Sequence, residues 1–372
     1  MAQMLLAGDP APWFVAQASN LEEFHFSSAG GRYIVLCFFG TTQVEIGRAL
    51  WRAFFERAAI YDDRHASLFG VSVDPDDERS GRVVARLPGV RLFWDYDRAI
   101  SRLFGAVDQT DRRRYRPIVY VLDAALRVLR ADTVGDPLQA AMETVEFVRA
   151  LPPLPKPEPA SAQAPALILP GVFERDFCRA LIAGYESGRS EESGFMREVD
   201  GKTALVLDHA HKRRFDWIID DARLRDGARA RIHRRAAPEM RRVFQFAATR
   251  IERDIVACYD AALGGYFRPH RDNTTKGTAH RRFAITINLN AEGYDGGDLV
   301  FPEYGQRRFR APTGGAVIFS CSLLHEALAV TRGKRYAYLP FLYDEDAAKL
   351  RAANNEFLGE GVRPYRLDDP PA

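Results

Sequence analysis

The sequence predicts two domains: an N-terminal α/β sandwich around a largely parallel sheet, and a C-terminal α+β domain in which helices precede a β-sandwich or jelly roll. Three observations lead there. Apolar runs of strand length alternate with helical segments over residues 1–150. From about residue 255 short strands recur every ten residues or so between glycines and prolines. Between the two regimes lies LPPLPKPEPASAQAP, residues 151–165.

In the first domain, YIVLCFF (residues 33–39) is a buried-strand pattern bounded by glycines. A helical segment over residues 44–58 follows, then a second buried strand, SLFGVSV (67–73), closed by Asp74-Pro75. Further strands are expected at 90–94, 118–122 (IVYVL) and 127–133, and a helix over about 138–151. The six prolines of residues 151–165 exclude a packed core and read as an extended, semi-rigid linker. In the second domain, residues 166–372, helices are expected over 174–185 and 222–250. The strands after them are IVACYDA, RFAITINLN, DLVFPEY, RRFRAP, GAVIFSC, LHEALAV and RYAYLPFLY.

Composition narrows the functional classes. Of 372 residues, 47% are hydrophobic, and 52 basic residues nearly balance 50 acidic ones, which argues against a general polyanion binder. The basic run RARIHRRAAPEMRR reads as a solvated helix face, with no aromatic platform for stacking bases, so nucleic acid is not an expected partner. No long apolar stretch suggests a membrane span, and the start of the chain lacks a signal-peptide pattern. The four cysteines (Cys37, Cys178, Cys258, Cys321) are scattered in apolar settings, which suggests a reducing, cytoplasmic location.

The chemistry concentrates late in the chain. His270 and Asp272, in GGYFRPHRDN, stand two apart, so on an extended segment both side chains point the same way. His325 opens LHEALAV, late enough for a different strand of the same sheet system. Two imidazoles and a carboxylate on one face leave three positions of an octahedral iron(II) open, enough for a bidentate 2-oxo acid and O₂. With eight histidines in the chain, one His-x-Asp alone carries little weight.

The surroundings supply the weight. From about residue 168 to 343 the chain resembles the prolyl 4-hydroxylase-like branch of the iron(II)/2-oxoglutarate oxygenases. The resembling residues are, in order, IVACYDAALGGYF before His270-x-Asp272, RFAITINLN, Gly296-Gly297-Asp298-Leu299, PTGGAVIF (312–319), His325-Glu326, and Val330-Thr331-x-Gly333-x-Arg335-Tyr336. LPGVFERDFCRALIAGYE also resembles the helical start of such domains.

The resemblance implies a double-stranded β-helix (jelly roll), with iron(II) on His270, Asp272 and His325, 2-oxoglutarate as co-substrate, O₂, and ascorbate as a candidate reductant. Arg335 would hold the distal carboxylate of 2-oxoglutarate, because its fork stays charged when buried and meets a carboxylate bidentately. Lys334 should face the other way, and Thr331–Gly333 should turn the strand after His325 into the next. Tyr259 is implied as a further co-substrate contact. Asn288 stands where many relatives have tyrosine, so it departs from the pattern at a co-substrate position. Asp272, in place of the glycine or alanine of related halogenases, implies hydroxylation or another oxidation, not chlorination. Peptidyl proline is the family's default substrate, with free amino acids or a secondary metabolite as rivals.

Other histidines read more blandly. Asp208-His209-Ala210-His211 lacks a matching ligand pair and, beside Lys212-Arg213-Arg214, reads as a loop near the active-site mouth. His280 reads as a turn residue, and His233 as part of the basic helix.

The first domain carries a second resemblance. GDPAPWF, RYIVLCFFG, FGVSVDPDD, VRLFWDYDRAISRLFGA and IVYVLDAALRVL occur in the order of the peroxiredoxin branch of the thioredoxin fold. Where that branch presents its peroxidatic cysteine, this chain reads Gly40-Thr41-Thr42-Gln43-Val44-Glu45-Ile46, with no thiol. The expectation is a non-catalytic thioredoxin-like domain used for substrate presentation, homodimer formation or partner docking. Two readings of the whole remain at this level: a hydroxylase acting on a small molecule or peptide, or an adaptor in which iron and 2-oxoglutarate occupancy reports oxygen or carbon status with little turnover.

Overall fold

The computed structural model describes all residues except 1–3, 108–113, 158, 160–161, 360–361, 363 and 367–372. Three residues of the expected linker therefore lie outside the described residues. The chain divides into two compact units, Met1–Glu158 and Pro159–Ala372.

The first unit is a seven-stranded sheet: β1 (Val15–Ala18), β2 (Leu21–His25), β3 (Tyr33–Gly40), β4 (Ala66–Ser72), β5 (Val90–Trp94), β6 (Ile118–Leu122) and β7 (Val128–Thr133), in the order β2-β1-β5-β4-β3-β6-β7. Strand β3 is apolar throughout because both of its faces are covered. Tyr33, Val35, Cys37 and Phe39 join one core, with the helices Glu45–Phe55 and Pro137–Ala150, while Ile34, Leu36 and Phe38 join the other.

The expectation of a largely parallel sheet needs correction, since only β3–β4 and β4–β5 pair in parallel. The link between β6 and β7 is far shorter than a crossover requires. It is a tight turn in which the Asp123 carboxylate accepts from the Ala125 and Arg127 amides at 2.9 and 2.8 Å. The equally tight link between β1 and β2 adds a hairpin at the other edge. Packing also continues past residue 150: Leu151 and Leu154 lie against the first core, and Tyr33 Oη donates to Pro152 O at 3.0 Å.

The second unit packs two sheets face to face. The smaller has five strands in the order Lys212–Arg213, Tyr266–His270, His325–Ala327, Leu299–Val300 and Arg308–Phe309. The larger is centred on Ile255–Asp260, Val330–Tyr338, Phe283–Asn288 and Ala316–Ser320. Period-two alternation assigns each side chain of the larger sheet to a face. Val256, Cys258, Ile285, Ile287, Tyr336 and Tyr338 pack on the helical side with Cys178, Leu181, Ile232 and Met240. Ile255, Ala257, Tyr259, Ala284 and Ala337 face the smaller sheet, meeting Phe267, Leu299, Phe309 and Ala327.

Two expected elements differ. The helix expected over 222–250 is Ala222–Arg231, a π-turn Ile232–Ala236, then Ala237–Phe244, ending at Gln245 in the left-handed region (φ 53°). Pro238 has no amide to donate one turn back, so the helix is disturbed there. Residues 250–252 form a strand against Phe341–Tyr343 instead. Nor do Thr331–Gly333 make a turn: Val330–Tyr338 is one nine-residue strand. Gly333, at φ 72°, lies within it opposite Tyr294, where an added Cβ would meet Gly293 O at 2.4 Å.

Candidate active site

The strand Tyr266–His270 pairs with His325–Ala327 so that His270 lies opposite His325, and Asp272 follows two residues past the strand end. Ligand atoms of His270, Asp272 and His325 all lie within 4.8 Å of one another, the only such His/Cys/Asp/Glu group among the described residues.

Their orientation is fixed from behind. His270 Nδ1 contacts Arg268 O at 2.7 Å and His325 Nδ1 contacts Leu323 O at 3.0 Å, so each ring can donate there and turn Nε2 inward as a lone-pair ligand. The two Nε2 atoms stand 3.6 and 3.5 Å from the Asp272 carboxylate oxygens, too far for good hydrogen bonds and open to a shared ion. Phe267 stacks on His270 at 3.5 Å between centroids, and Phe319 lies 4.6 Å from His325. Burial and neighbouring His325 push His270 down to about 3, which keeps the ring neutral. Burial alone would raise Asp272, but His325, His270, Arg281 and Arg253 hold its carboxyl below the usual range.

Arg335 is buried on the inward face, its Cα register partner being Tyr259 on the adjacent strand. Its guanidinium carbon lies 5.0 Å from the Tyr259 ring centroid, and among the described residues its Nε and Nη1 have no hydrogen-bond partner. A buried guanidinium without a counter-charge is costly. An anion bidentate to Arg335 removes that cost, so the donor set fits a 2-oxo diacid with one end at the histidine–aspartate cluster. Lys334 faces the other way, half-exposed, 3.9 Å from Asp260.

Tyr259 Oη accepts from Arg214 Nη1 at 3.3 Å. Asn288 points to the same inter-sheet side but lies outside the cavity lining, its Nδ2 donating to Ala311 O at 2.7 Å; its Oδ1 is buried without a partner. Thr286, two residues earlier on the same strand, lines the cavity instead.

That cavity, about 1310 Å³, holds all three candidate ligands, Tyr259 and Arg335. Among its other basic lining residues are Lys212, Arg214, Arg253 and Arg281, which the sequence alone did not single out for the site. Lys212 and Arg214 are buried while Arg213 between them is exposed, so a period-two reading of KRR would have separated them. Arg214 pairs with Asp216 at 2.6 Å, Arg281 with Glu252 at 2.8 Å, and Lys212 Nζ donates to Ser193 Oγ at 2.7 Å.

Of the other histidines, His209 Nε2 lies 2.7 Å from Glu192 and His280 is buried against Glu252, while His211 lines the cavity, its ring 4.5 Å from Phe195 and 6.5 Å from His270. Three arginines of the basic helical stretch pair with acids outside it, Arg229 with Asp254 at 2.7 Å and Arg231 and Arg235 with Glu174 at 2.6 and 2.8 Å.

Comparison with known proteins agrees with this geometry. The profile of the 2OG-Fe(II) oxygenase superfamily matches residues 255–343, and that of the AhpC/TSA family matches residues 7–131. A PKHD-type hydroxylase of Synechococcus sp. (strain JA-2-3B'a(2-13)) is 33% identical over 110 residues, 27% of this chain and 48% of the relative. One from Shewanella frigidimarina is 46% identical over 61 residues, 16% of this chain and 27% of the relative. The chain thus spans about half or less of the curated relatives it matches. A prolyl-4-hydroxylase structure from Pseudomonas putida aligns at 17% identity and TM-score 0.37, covering 50% of this chain and 95% of that one. The C-terminal part of the chain carries a 2OG-Fe(II) oxygenase domain, and the N-terminal part a thioredoxin-like AhpC/TSA domain.

Proposed function

We propose that the C-terminal unit is an iron(II)- and 2-oxoglutarate-dependent dioxygenase that hydroxylates an unactivated C–H bond of a peptide or amino-acid-like substrate. The observation that carries this reading is one cavity holding both a His-Asp-His cluster and the buried, unpaired guanidinium of Arg335. His270, Asp272 and His325 hold the iron, Arg335 holds the distal carboxylate of 2-oxoglutarate, and Tyr259 packs against that guanidinium. When bound, iron with 2-oxoglutarate and O₂ supplies an oxidative decarboxylation to succinate and CO₂ coupled to C–H hydroxylation. The chain positions the ligands through the Arg268 and Leu323 carbonyls and shields them from water with Phe267 and Phe319.

The N-terminal unit is assigned a non-catalytic role in presentation, docking or dimerisation. Thr41 and Thr42 donate their hydroxyls to Asp74 and Asp77, which Arg82 also binds at 3.0 Å each. Among the described residues no helix is long and apolar enough to cross a membrane. Four free, buried cysteines support a reducing compartment.

The test is iron content together with succinate formation from 2-oxoglutarate, across a panel of peptides and amino acids scored for O₂-dependent mass gain. Loss of iron and turnover in His325→Ala supports the assignment. Full iron content and activity in that variant defeats it. Succinate release that no substrate stimulates favours a sensing role.

A further inference from the structure

We propose that Arg253 anchors a carboxylate of the primary substrate, an inference that rests on the oxygenase reading and narrows its substrate class. Arg253 lines the cavity that holds the metal cluster and Arg335. Its guanidinium is close enough for its charge to help keep Asp272 ionised. Yet among the described residues it has no carboxylate within ion-pair distance. Among the described residues its hydrogen bonds are two long ones, from Nε and Nη2 to the single Leu339 carbonyl at 3.4 and 3.3 Å, and Nη1 makes none there. Its guanidinium carbon lies over Phe341, 4.6 Å from the ring centroid.

The nearby carboxylates are engaged by other groups. Glu252 takes His280 and, at 2.8 Å, Arg281; Asp254 takes Arg229 at 2.7 Å and the Tyr338 hydroxyl at 2.7 Å; Asp216 takes Arg214 at 2.6 Å. Arg253 is thus left over between two acids whose partners lie elsewhere. Its backbone adopts φ 70°, a left-handed conformation in a non-glycine residue, of the kind retained where function needs it.

Charge makes the ligand class specific. Iron(II), the Asp272 carboxylate, a 2-oxoglutarate dianion and the Arg335 cation are together neutral, so the co-substrate leaves Arg253 without a counter-ion. A carboxylate suits the planar fork of a guanidinium and its free Nη1 edge. Such a group is offered by a free amino acid or by the C-terminus of a peptide, and not by an amide or by an internal peptide segment that lacks aspartate and glutamate.

The experiment uses the full chain loaded with Mn(II) and saturating 2-oxoglutarate without O₂, so that binding is read apart from turnover. Dissociation constants are measured by calorimetry for free L-amino acids against their carboxamides, and for Ala-Ala-Pro with a free or amidated C-terminus. At least one acid should bind ten-fold or more tighter than its amide. Arg253→Gln should erase that preference and Arg253→Lys should keep part of it, with 2-oxoglutarate affinity unchanged in both. Amino acid and tripeptide arms separate the two carboxylate sources, and preference in either supports the proposal. Three results overturn it: no acid preferred over its amide, a preference that survives Arg253→Gln, or a ten-fold loss of 2-oxoglutarate affinity in that variant. Failure of the wild-type chain to bind Mn(II) and 2-oxoglutarate would instead defeat the oxygenase reading. A purely packing role for Arg253 on Phe341 would not discriminate acid from amide.

Discussion

Arg335 and Tyr259 sit at the same level of two neighbouring antiparallel strands, with the guanidinium 5.0 Å from the phenol ring and two of its nitrogens unpartnered. An aromatic face can hold a cation in place without occupying its N–H groups, so the fork stays available to an anion. Arg335→Ala should therefore weaken the apparent use of 2-oxoglutarate by roughly 2–4 kcal/mol in transition-state terms, since a buried carboxylate loses a bidentate partner. Lys334→Ala, on the outer face, should change it little. The check is kcat/KM for 2-oxoglutarate in both variants; a reversed ranking would place the strand one residue out of register.

A second prediction concerns the glycine behind that guanidinium. Gly297 has φ +67°, and a Cβ there would lie 2.8 Å from Val330 Cγ2 and 3.1 Å from Arg335 Cδ. Gly297→Ala adds a left-handed backbone cost of about 1–2 kcal/mol and crowds the arginine stem. The expected result is a lowered Tm together with a raised KM for 2-oxoglutarate, measured by thermal unfolding and steady-state kinetics. Unchanged KM at reduced stability would show that Arg335 is not positioned by this turn.

How much of this was legible in the sequence depends on whether a residue's role is local. The convergence of His270 and Asp272 follows from strand periodicity, whereas singling out His325 and Arg335 drew on the ordered family resemblance, with Lys334 then falling on the outer face by alternation. Asn288 is harder: its strand and face are readable, but its bond to Ala311 O depends on a chain segment 23 residues away. Arg253 is not legible at all. Its isolation arises because Asp254 is taken by Arg229, 25 residues earlier, and Glu252 by Arg281, 29 residues later. In the first sheet the antiparallel pairings β1–β2 and β6–β7 follow from tight links at residues 19–20 and 123–127, whereas β1–β5 and β3–β6 join strands far apart in the chain, which local turn chemistry does not announce.

The third prediction is a pH dependence in the first unit. Asp63 accepts both prongs of Arg91 at 2.7 Å and the Ser67 hydroxyl at 2.7 Å. Burial alone would raise its carboxyl, but Arg91 and Ser67 bring it down to about 2. The folded value lies below the unfolded one near 3.8. The associated stability is therefore present above about pH 4 and lost as pH falls toward 2. Screened by solvent, it amounts to about 1 kcal/mol. Asp63→Asn isolates the charge, because asparagine also tolerates the φ of 60° found there. Urea unfolding of the N-terminal unit should show the variant less stable at pH 7, with the gap closing toward pH 2. A gap that persisted would assign the effect to packing.

The last prediction concerns peroxide chemistry in the N-terminal unit. Peroxide reduction by this fold needs a thiolate, exposed and favoured by nearby positive charge. The helix Glu45–Phe55 instead opens on Val44 and Glu45, and an acid there disfavours a neighbouring anion. Ahead of it, the Thr41 and Thr42 hydroxyls are held by Asp74 and Asp77, and a threonine hydroxyl is too weakly acidic to stand in for a thiol. Cys37, on strand β3, is fully buried, and burial pushes its thiol far above the ordinary range. The unit should therefore show no thiol peroxidase activity with a dithiol or thioredoxin-type reductant, and Cys37→Ser should leave peroxide consumption unchanged. The fragment to test is residues 1–158, because Leu151, Pro152 and Leu154 pack or bond within the unit; residues 1–150 should fold alone as well, but less stably. Steady-state peroxide consumption by the folded fragment decides the matter: turnover at ordinary peroxiredoxin rates, lost in Cys37→Ser, would overturn the non-catalytic assignment and require β3 to open.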